Sequence, residues 1–387
     1  MKEGWKTRNL DALCRIRTGK KDVNQGNPDG EFPFFTCAAE HTFSDSYSFD
    51  AEALLIAGNG DVGKVSFYKG KFEAYQRTYV LTDFSEVLTR FLFLILDGKL
   101  KDTVSKQKLG NTMPYIKVGM LTDFQVPVPP LPEQQRIVGI LDEAFEGIAT
   151  AKANAEKNGQ NTRALFKSHL DEVFTKRGEG WVETTLERVL SVQPQNGWSP
   201  PAANHSDSGT PVLTLSSVTG FSFKPDKRKY TSASTDSRRH YWVKNGDFLI
   251  TRSNTPELVG HVAIASGIHE PTIYPDLIMR MNPAPDRMMT EFLYYQMRSP
   301  SLRKEITGRA RGANPTMKKI SNGAVKTLPI AVPPISTQRA IVETLKALAE
   351  EIQHLESIYQ KKLAVLEALK KSLLHQAFSG ELGAQAA

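Results

Sequence analysis

One stretch of this sequence has the spacing of phosphate chemistry. Gly58-Asn59-Gly60-Asp61-Val62-Gly63-Lys64 satisfies both G-x-G-x-x-G and G-x-x-x-x-G-K. Either motif would cradle phosphates on backbone N–H groups at the start of a helix. The flanking residues oppose both. A phosphate loop follows its lysine with Ser or Thr, and position 65 is Val. Val65-Ser66-Phe67-Tyr68 and then Lys69-Gly70-Lys71 read as strand and turn, so a glycine-rich loop between strands is expected. No zinc spacing appears among the eight histidines and two cysteines, and His41, His205, His240, His261 and His269 are isolated. An amino-methyltransferase would need Asn/Asp-Pro-Pro-aromatic. Asn282-Pro283-Ala284-Pro285 and Asn314-Pro315-Thr316-Met317 lack the second proline and the aromatic. No serine sits in a nucleophile elbow.

What remains is basic, polar and aromatic loop chemistry. In the first half it lies at Lys20, Lys21, Asn24, Asn59, Lys64, Gln76, Arg77 and Lys108. In the second half it lies at Arg228, Lys229, Arg238, Arg239, Arg252, Asn254, Arg311 and Lys318. Arg and Lys suit guanine edges and phosphates, and Asn and Gln suit adenine. A single charge run is as readily a solvated face, but equivalent clusters in two halves favour DNA. The whole chain agrees: 49 basic against 42 acidic residues give +7 and a pI near 9.1, a balance that attracts an acidic partner.

Composition narrows the class further. At 387 residues, 40% hydrophobic and 24% charged, the chain is an ordinary globular one of two or three domains. Cys14 and Cys37 are too few for a disulfide framework. The longest apolar run, residues 91–96, is far short of the roughly 20 residues that span a bilayer. A soluble cytoplasmic protein is expected.

The elements that must position these loops occur twice. Gly4-Trp5 matches Gly180-Trp181. Leu55-Ile56 and Val62-Gly63-Lys64-Val65 match Leu249-Ile250 and Val259-Gly260-His261-Val262. Val128-Pro129-Pro130-Leu131, Gln134 and Ile137-Val138 match Val332-Pro333-Pro334-Ile335, Gln338 and Ile341-Val342. The offset is 176 at the Gly-Trp pair and 204 from the double proline onward, so the second half carries 28 more residues, all before its prolines. Each repeat is a variable body followed by a fixed tail, far longer than a solenoid unit. The bodies read as mixed α/β with short strands, among them 32–37, 53–57, 64–68, 78–81, 212–215, 247–251 and 261–265. Short helices are expected at 85–96 and 290–297.

The tails read as helices. Ile341, Leu345, Leu348, Ile352, Leu355, Tyr359, Lys362, Leu366, Leu369 and Leu373 form a heptad seam. The first tail gives a thinner seam at Ile137, Leu141, Ala144, Ile148, Ala151, Ala155, Asn158, Thr162, Leu165 and His169, with Gly159 costing about 1 kcal/mol. A seam that thin calls for a partner helix, so an antiparallel pair is expected rather than two independent helices. The prolines at 127, 129, 130 and 132 and at 329, 333 and 334 read as extended linkers ahead of each helix.

Together these features resemble the specificity subunit of type I restriction-modification systems over essentially the whole chain. The resemblance rests on the two Pro-Pro segments at 129–138 and 333–342 and on residues 369–380. It also rests on the paired Gly-Trp openings and the phrase Thr18-Gly19-Lys20-Lys21-Asp22 leading to Phe32–Cys37. It implies an α+β chain of two target-recognition domains in tandem, 1–130 and 178–332. Each is followed by a spacer helix, 131–177 and 333–380, with a short tail at 381–387. The helices would pair as an antiparallel coiled coil, a rod of roughly 60 Å. It also implies a non-catalytic chain that reads an asymmetric two-part site in double-stranded DNA. Two methyltransferase subunits would dock on it around Gln134, Ile137, Gln338 and Ile341, and a motor-nuclease subunit could join. S-adenosylmethionine would then belong to the methyltransferase, and ATP and Mg to the nuclease. The first tail has Glu133 before its glutamine and the second has Thr337, so the two docking faces are expected to differ. Rival readings are a self-sufficient DNA enzyme, a coiled-coil scaffold with no DNA role, and a specificity protein of another restriction class.

Overall fold

A computed structural model describes residues 4–105, 115–314 and 316–382. It divides into two compact units. One comprises residues up to 156 with those from 360 onward; the other is 157–359. Two helices of 45 residues each, Leu131–Thr175 and Ile335–Ser379, contribute a part to each unit.

In the first unit four strands lie in the order Arg15–Thr18, Thr78–Thr82, Phe49–Ala57, Val65–Ala74, all antiparallel. Phe32–Phe35 and Thr42–Ser44 extend the sheet, the former pairing parallel with Val65–Ala74. The glycine-rich loop is the turn between Phe49–Ala57 and Val65–Ala74, as the strand-forming residues after it require. One sheet face packs on the helix Thr89–Ser105 through Leu54, Ile56, Leu81, Phe91 and Leu92, all fully buried.

The second unit repeats this order: Leu190–Asn196, Ile278–Pro283, Phe248–Thr251, Val262–Ile264. Its helix Thr290–Arg298 stands where Thr89–Ser105 stands in the first. Most of the extra chain falls between Gly197 and Thr251. With Thr272–Ile273 from farther along the chain it builds a further five-stranded sheet, in the order His205–Ser206, Arg228–Thr231, Thr210–Leu213, Thr272–Ile273, Trp242–Val243. That sheet has its own core around Leu213, Val218, Ile273 and Tyr274.

The proline stretches differ from the expected linkers. Gln125–Val128 pairs with Lys6–Asn9, placing Pro127 opposite Thr7. Pro329–Val332 pairs with Val182–Thr185. Both are two-stranded ribbons, where a proline is tolerated because its missing N–H faces away from the partner. Pro132 lies inside the first helical turn, where no N–H donor is needed.

Each unit takes the start of one long helix and the end of the other into its core. In the first unit Ile137 and Leu141 are joined by Ala377, Phe378 and Leu382, and Phe378 meets Phe91 edge-on at 5.8 Å. In the second, Val342 and Leu345 are joined by Phe166, Leu170 and Phe174, and Phe174 meets Phe292 edge-on at 5.3 Å. The expected heptad seams hold for only part of each helix. Leu165 is 63% exposed and Leu369 is 44% exposed, and burial passes instead to Phe166, Leu170 and Phe174 and to Leu374 and Phe378. A straight helix has 3.6 residues per turn, so a 3.5-residue repeat drifts about 20° per heptad and the buried stripe moves one residue on. Gly159 does not break its helix, and a Cβ there would meet nothing within 4 Å.

Candidate nucleic-acid interface

The basic loops are gathered by backbone hydrogen bonds that recur in both units. In the first, Gly19 N–H donates to Thr78 O at 3.3 Å, Gly58 N–H to Arg77 O at 3.0 Å and Ile116 N–H to Gly58 O at 3.0 Å. In the second, Gly197 N–H donates to Ile278 O at 3.2 Å, Arg252 N–H to Leu277 O at 2.8 Å and Ile320 N–H to Arg252 O at 2.9 Å. Glycine is required at the first of these positions. A Cβ on Gly19 would lie 1.8 Å from Ala74 O, and one on Gly197 would lie 1.9 Å from Tyr274 O.

In the first unit these bonds surround a cleft of about 760 Å³ lined by Thr18, Gln76, Arg77, Tyr79, Tyr115 and Lys117. Tyr79 Oη donates to Ile116 O at 2.9 Å, which ties the 115–117 segment to the sheet, and burial pushes the Tyr79 pKa up. Gln76 N–H donates to Lys21 O and Gln76 Nε2 to Asp22 Oδ2, so the 20–25 loop stands beside the cleft with Lys20 and Asn24 exposed. Lys20, Arg77 and Lys117 are exposed and have no carboxylate partner among the described residues.

Other predicted residues are engaged elsewhere. Lys21 Nζ donates to Ser44 Oγ at 2.8 Å and Ser46 Oγ at 2.7 Å and pairs with buried Glu73 at 3.3 Å, so it holds the loop down rather than facing solvent. Lys64 donates to Ala39 O on the wall of a separate cavity of about 380 Å³ with Phe35, His41 and Phe43. Asn59 is half-buried in the turn. Lys108 lies outside the described residues.

In the second unit Arg252, Asn254, Arg311 and Lys318 come together. Asn254 pairs with Lys318 in a short ribbon, and Arg311 exchanges backbone bonds with Lys319 at 2.8 and 2.7 Å. Arg311 Nη1 donates to Gly308 O and Ala310 O, and Lys318 Nζ to Gly312 O. None of the four has a carboxylate partner among the described residues. Arg228 and Lys229 lie instead on a strand of the five-stranded sheet, and Arg238 and Arg239 on the turn before its Trp242–Val243 strand. Arg228 pairs with Glu270 at 2.7 Å. Arg238 and Arg239 flank Asp236 at 3.2 and 3.7 Å, and the Arg238 hydrogen bond holds that carboxyl below its usual range. Lys229 lines a cavity of about 340 Å³ with Tyr230 and His205.

The residues expected to dock a partner need correcting. Gln134 and Gln338 are fully buried with the whole amide used internally. Gln134 accepts from Leu88 N–H at 2.8 Å and donates to Glu86 O and Pro129 O at 2.9 and 2.8 Å. Ile137 is 1% exposed, and Ile341 packs against the second unit's core. Gln134, Gln338 and Ile137 are thus buried in the joint between helix and body, and Ile341 is partly buried beside it.

Sequence reasoning missed Tyr115 and Lys117. The offset of 204 that pairs Ile116 with Ile320 could have found them, because both isoleucines close the same bond. Among the described residues no group of three or more His, Cys, Asp or Glu could hold a metal, and no helix is long and apolar enough to cross a membrane.

Residues 2–157 and 178–363 each match the type I restriction modification DNA specificity domain. The chain belongs to that family. Among the relatives of this specificity chain, the EcoDI type I restriction enzyme specificity subunit of Escherichia coli is 27% identical over 98% of this chain and 89% of its own length. The MjaVIII specificity subunit of Methanocaldococcus jannaschii is 23% identical over 86% and 79%. A chain from a structure describing assembly and conformational transition of the type I R-M system superposes with a TM-score of 0.78, at 19% identity over 98% of this chain and 99% of that one. The HsdS subunit from Thermoanaerobacter tengcongensis gives 0.58, at 19% identity over 98% and 97%. The family resemblance seen in the sequence is therefore borne out, and the architecture is that of HsdS chains.

Proposed function

We propose that this specificity subunit reads a two-part DNA site, one half with each body, and performs no chemistry itself. The observation that carries this reading is the recurrence, in both units, of one set of backbone bonds that gathers cations lacking a carboxylate partner. Ion-paired cations must break their pairs before they neutralise phosphate, whereas these need not. Within those bonds Gly58, Arg77 and Thr78 of the first unit stand where Arg252, Leu277 and Ile278 stand in the second, so the two halves of the site differ.

The long helices serve as spacer and docking surface in this reading. Support comes from contacts within each unit. Lys152 pairs with Glu367 at 2.8 Å in the first, and Arg163 pairs with Glu356 in the second. The two residue numbers sum to the same value in both pairs, as an antiparallel pairing in one register requires. Each helix of 45 residues is about 67 Å long, against about 3.4 Å per base pair of duplex. The exposed Leu165, Val365 and Leu369 offer apolar surface to methyltransferase subunits, two of which would bind. S-adenosylmethionine would be held by those subunits, and ATP and Mg by a motor-nuclease subunit.

Genome-wide mapping of modified adenines, with and without this gene, tests the proposal. Loss of one asymmetric motif with a fixed unread gap supports it. If the full chain with its methyltransferase marks no two-part motif, the proposal fails and the scaffold reading takes its place.

A further inference from the structure

We infer that Arg77 and Arg252 are the guanine-reading residues of the two half-sites, presented from opposite partners of one recurring backbone pair. The inference rests on the DNA-reading function proposed above. In the first unit the pair is Gly58 N–H to Arg77 O; in the second it is Arg252 N–H to Leu277 O. The arginine has changed sides of the bond. In the first unit it cannot stand on the other side, because a Cβ at Gly58 would lie 2.4 Å from Arg77 O and 2.9 Å from the Tyr79 ring. In the second unit Met279 takes the place of Tyr79 opposite the neighbouring strand residue.

Both arginines have a fixed backbone and an underused fork. Arg77 O also accepts from Cys37 Sγ at 3.4 Å, and Arg252 O accepts from Ile320 N–H at 2.9 Å. The Arg77 guanidinium makes no hydrogen bond or ion pair among the described residues. Arg252 has one long side-chain bond, Nη1 to Asp276 O at 3.5 Å, and its Nε is enclosed without a partner. Guanidinium carries five donors, and buried donors without acceptors are rare because they lose water without compensation. The other arginines at these loops are already used: Arg228 by Glu270, Arg238 and Arg239 by Asp236, and Arg311 by its own loop's carbonyls. A fork held by rigid backbone and lacking internal acceptors suits the paired O6 and N7 acceptors of guanine in the major groove. Presentation from opposite sides of the pair would set that guanine differently in each half-site.

The test uses the full chain expressed with its own methyltransferase partner on a library of randomised sites, reading methylated adenines by sequencing. R77K, R77A, R252K and R252A are compared with the unaltered chain. Each is expected to relax one guanine by roughly ten- to hundredfold in discrimination. The R77 variants should act in one half-site only and the R252 variants in the other, with the second half intact in each case as proof of folding. Lysine keeps the charge and loses the fork, so R77K and R252K with unaltered motifs would overturn the inference. So would alanine variants that lower methylation evenly without changing the motif, the result for phosphate contacts. If the unaltered chain marks no two-part motif, the underlying function fails, an outcome distinct from either.

Discussion

Gln134 and Gln338, 204 residues apart, close the same three hydrogen bonds. Gln338 accepts from Met289 N–H at 2.8 Å and donates to Arg287 O and Pro333 O, both at 2.9 Å. Gln134 does the same with Leu88, Glu86 and Pro129. One buried amide in each unit thus fixes the first turn of a long helix to the loop before the body's own helix.

Gln134→Ala or Gln338→Ala should therefore cost about 2–4 kcal/mol, because a buried N–H and two carbonyls lose their partner. Urea unfolding reads the loss. A change within 0.5 kcal/mol would mean that the amide is dispensable.

Gly19→Ala and Gly197→Ala should be among the most damaging single substitutions. The new methyl would have to displace a backbone carbonyl less than 2 Å away, and backbone has no rotamer to escape into. Soluble yield and melting temperature of the two variants check this, with Gly119→Ala, which meets nothing within 4 Å, as control.

His261 should make the protein acid-sensitive. Its Nδ1 accepts from Gly220 N–H at 3.0 Å and its ring stacks on Phe221 at 4.0 Å. Burial, with Arg303 beside it, pushes the imidazolium pKa from 6.5 down to about 4. The unfolded chain then takes up a proton before the folded one does. Stability is full above pH 6.5 and falls as pH drops toward 4, by about 2–3 kcal/mol from this group. Unfolding curves at pH 7 and pH 5 should differ less for His261→Asn than for the native chain.

DNA affinity should fall with salt, and the unpaired cations should set the slope. Lys20→Gln and Lys117→Gln should each lower the slope of log K against log salt by about 0.9 if each touches a phosphate. Lys101→Gln, whose lysine pairs with Asp61 at 2.6 Å, should change it less. Equal slopes for all three would place the DNA face elsewhere.

Removing four to seven residues from one long helix should change the unread gap and leave both half-sites as they were. Adenine mapping would show a shortened or lost motif; new half-site letters would contradict the spacer role.

The sequence made the duplication, both long helices and the central strands plain, because each is written in spacing: Leu55-Ile56 and Leu249-Ile250 lie in strands that pair alike. The helix seams were read too rigidly at Leu165 and Leu369, since a heptad template ignores helical drift. The five-stranded sheet was legible only in part. His205–Ser206 and Thr272–Ile273 are too short for alternation to register. At the candidate interface, residue type singled out the loops but could not separate Lys21, anchored on Glu73, from Lys20, which is not. That difference depends on a strand more than 50 residues away.

The first unit is assembled from two stretches of chain, whereas the second is one continuous stretch nested between them. Phe378 and Leu382 close the core around Phe91, so a nascent chain holds that apolar face open while everything between is made. At about 5–20 residues per second the delay is on the order of tens of seconds. The inner unit can fold within that interval. A ribosome that stalls short of Phe378 releases a chain with its inner half finished and its outer half a substrate for chaperones.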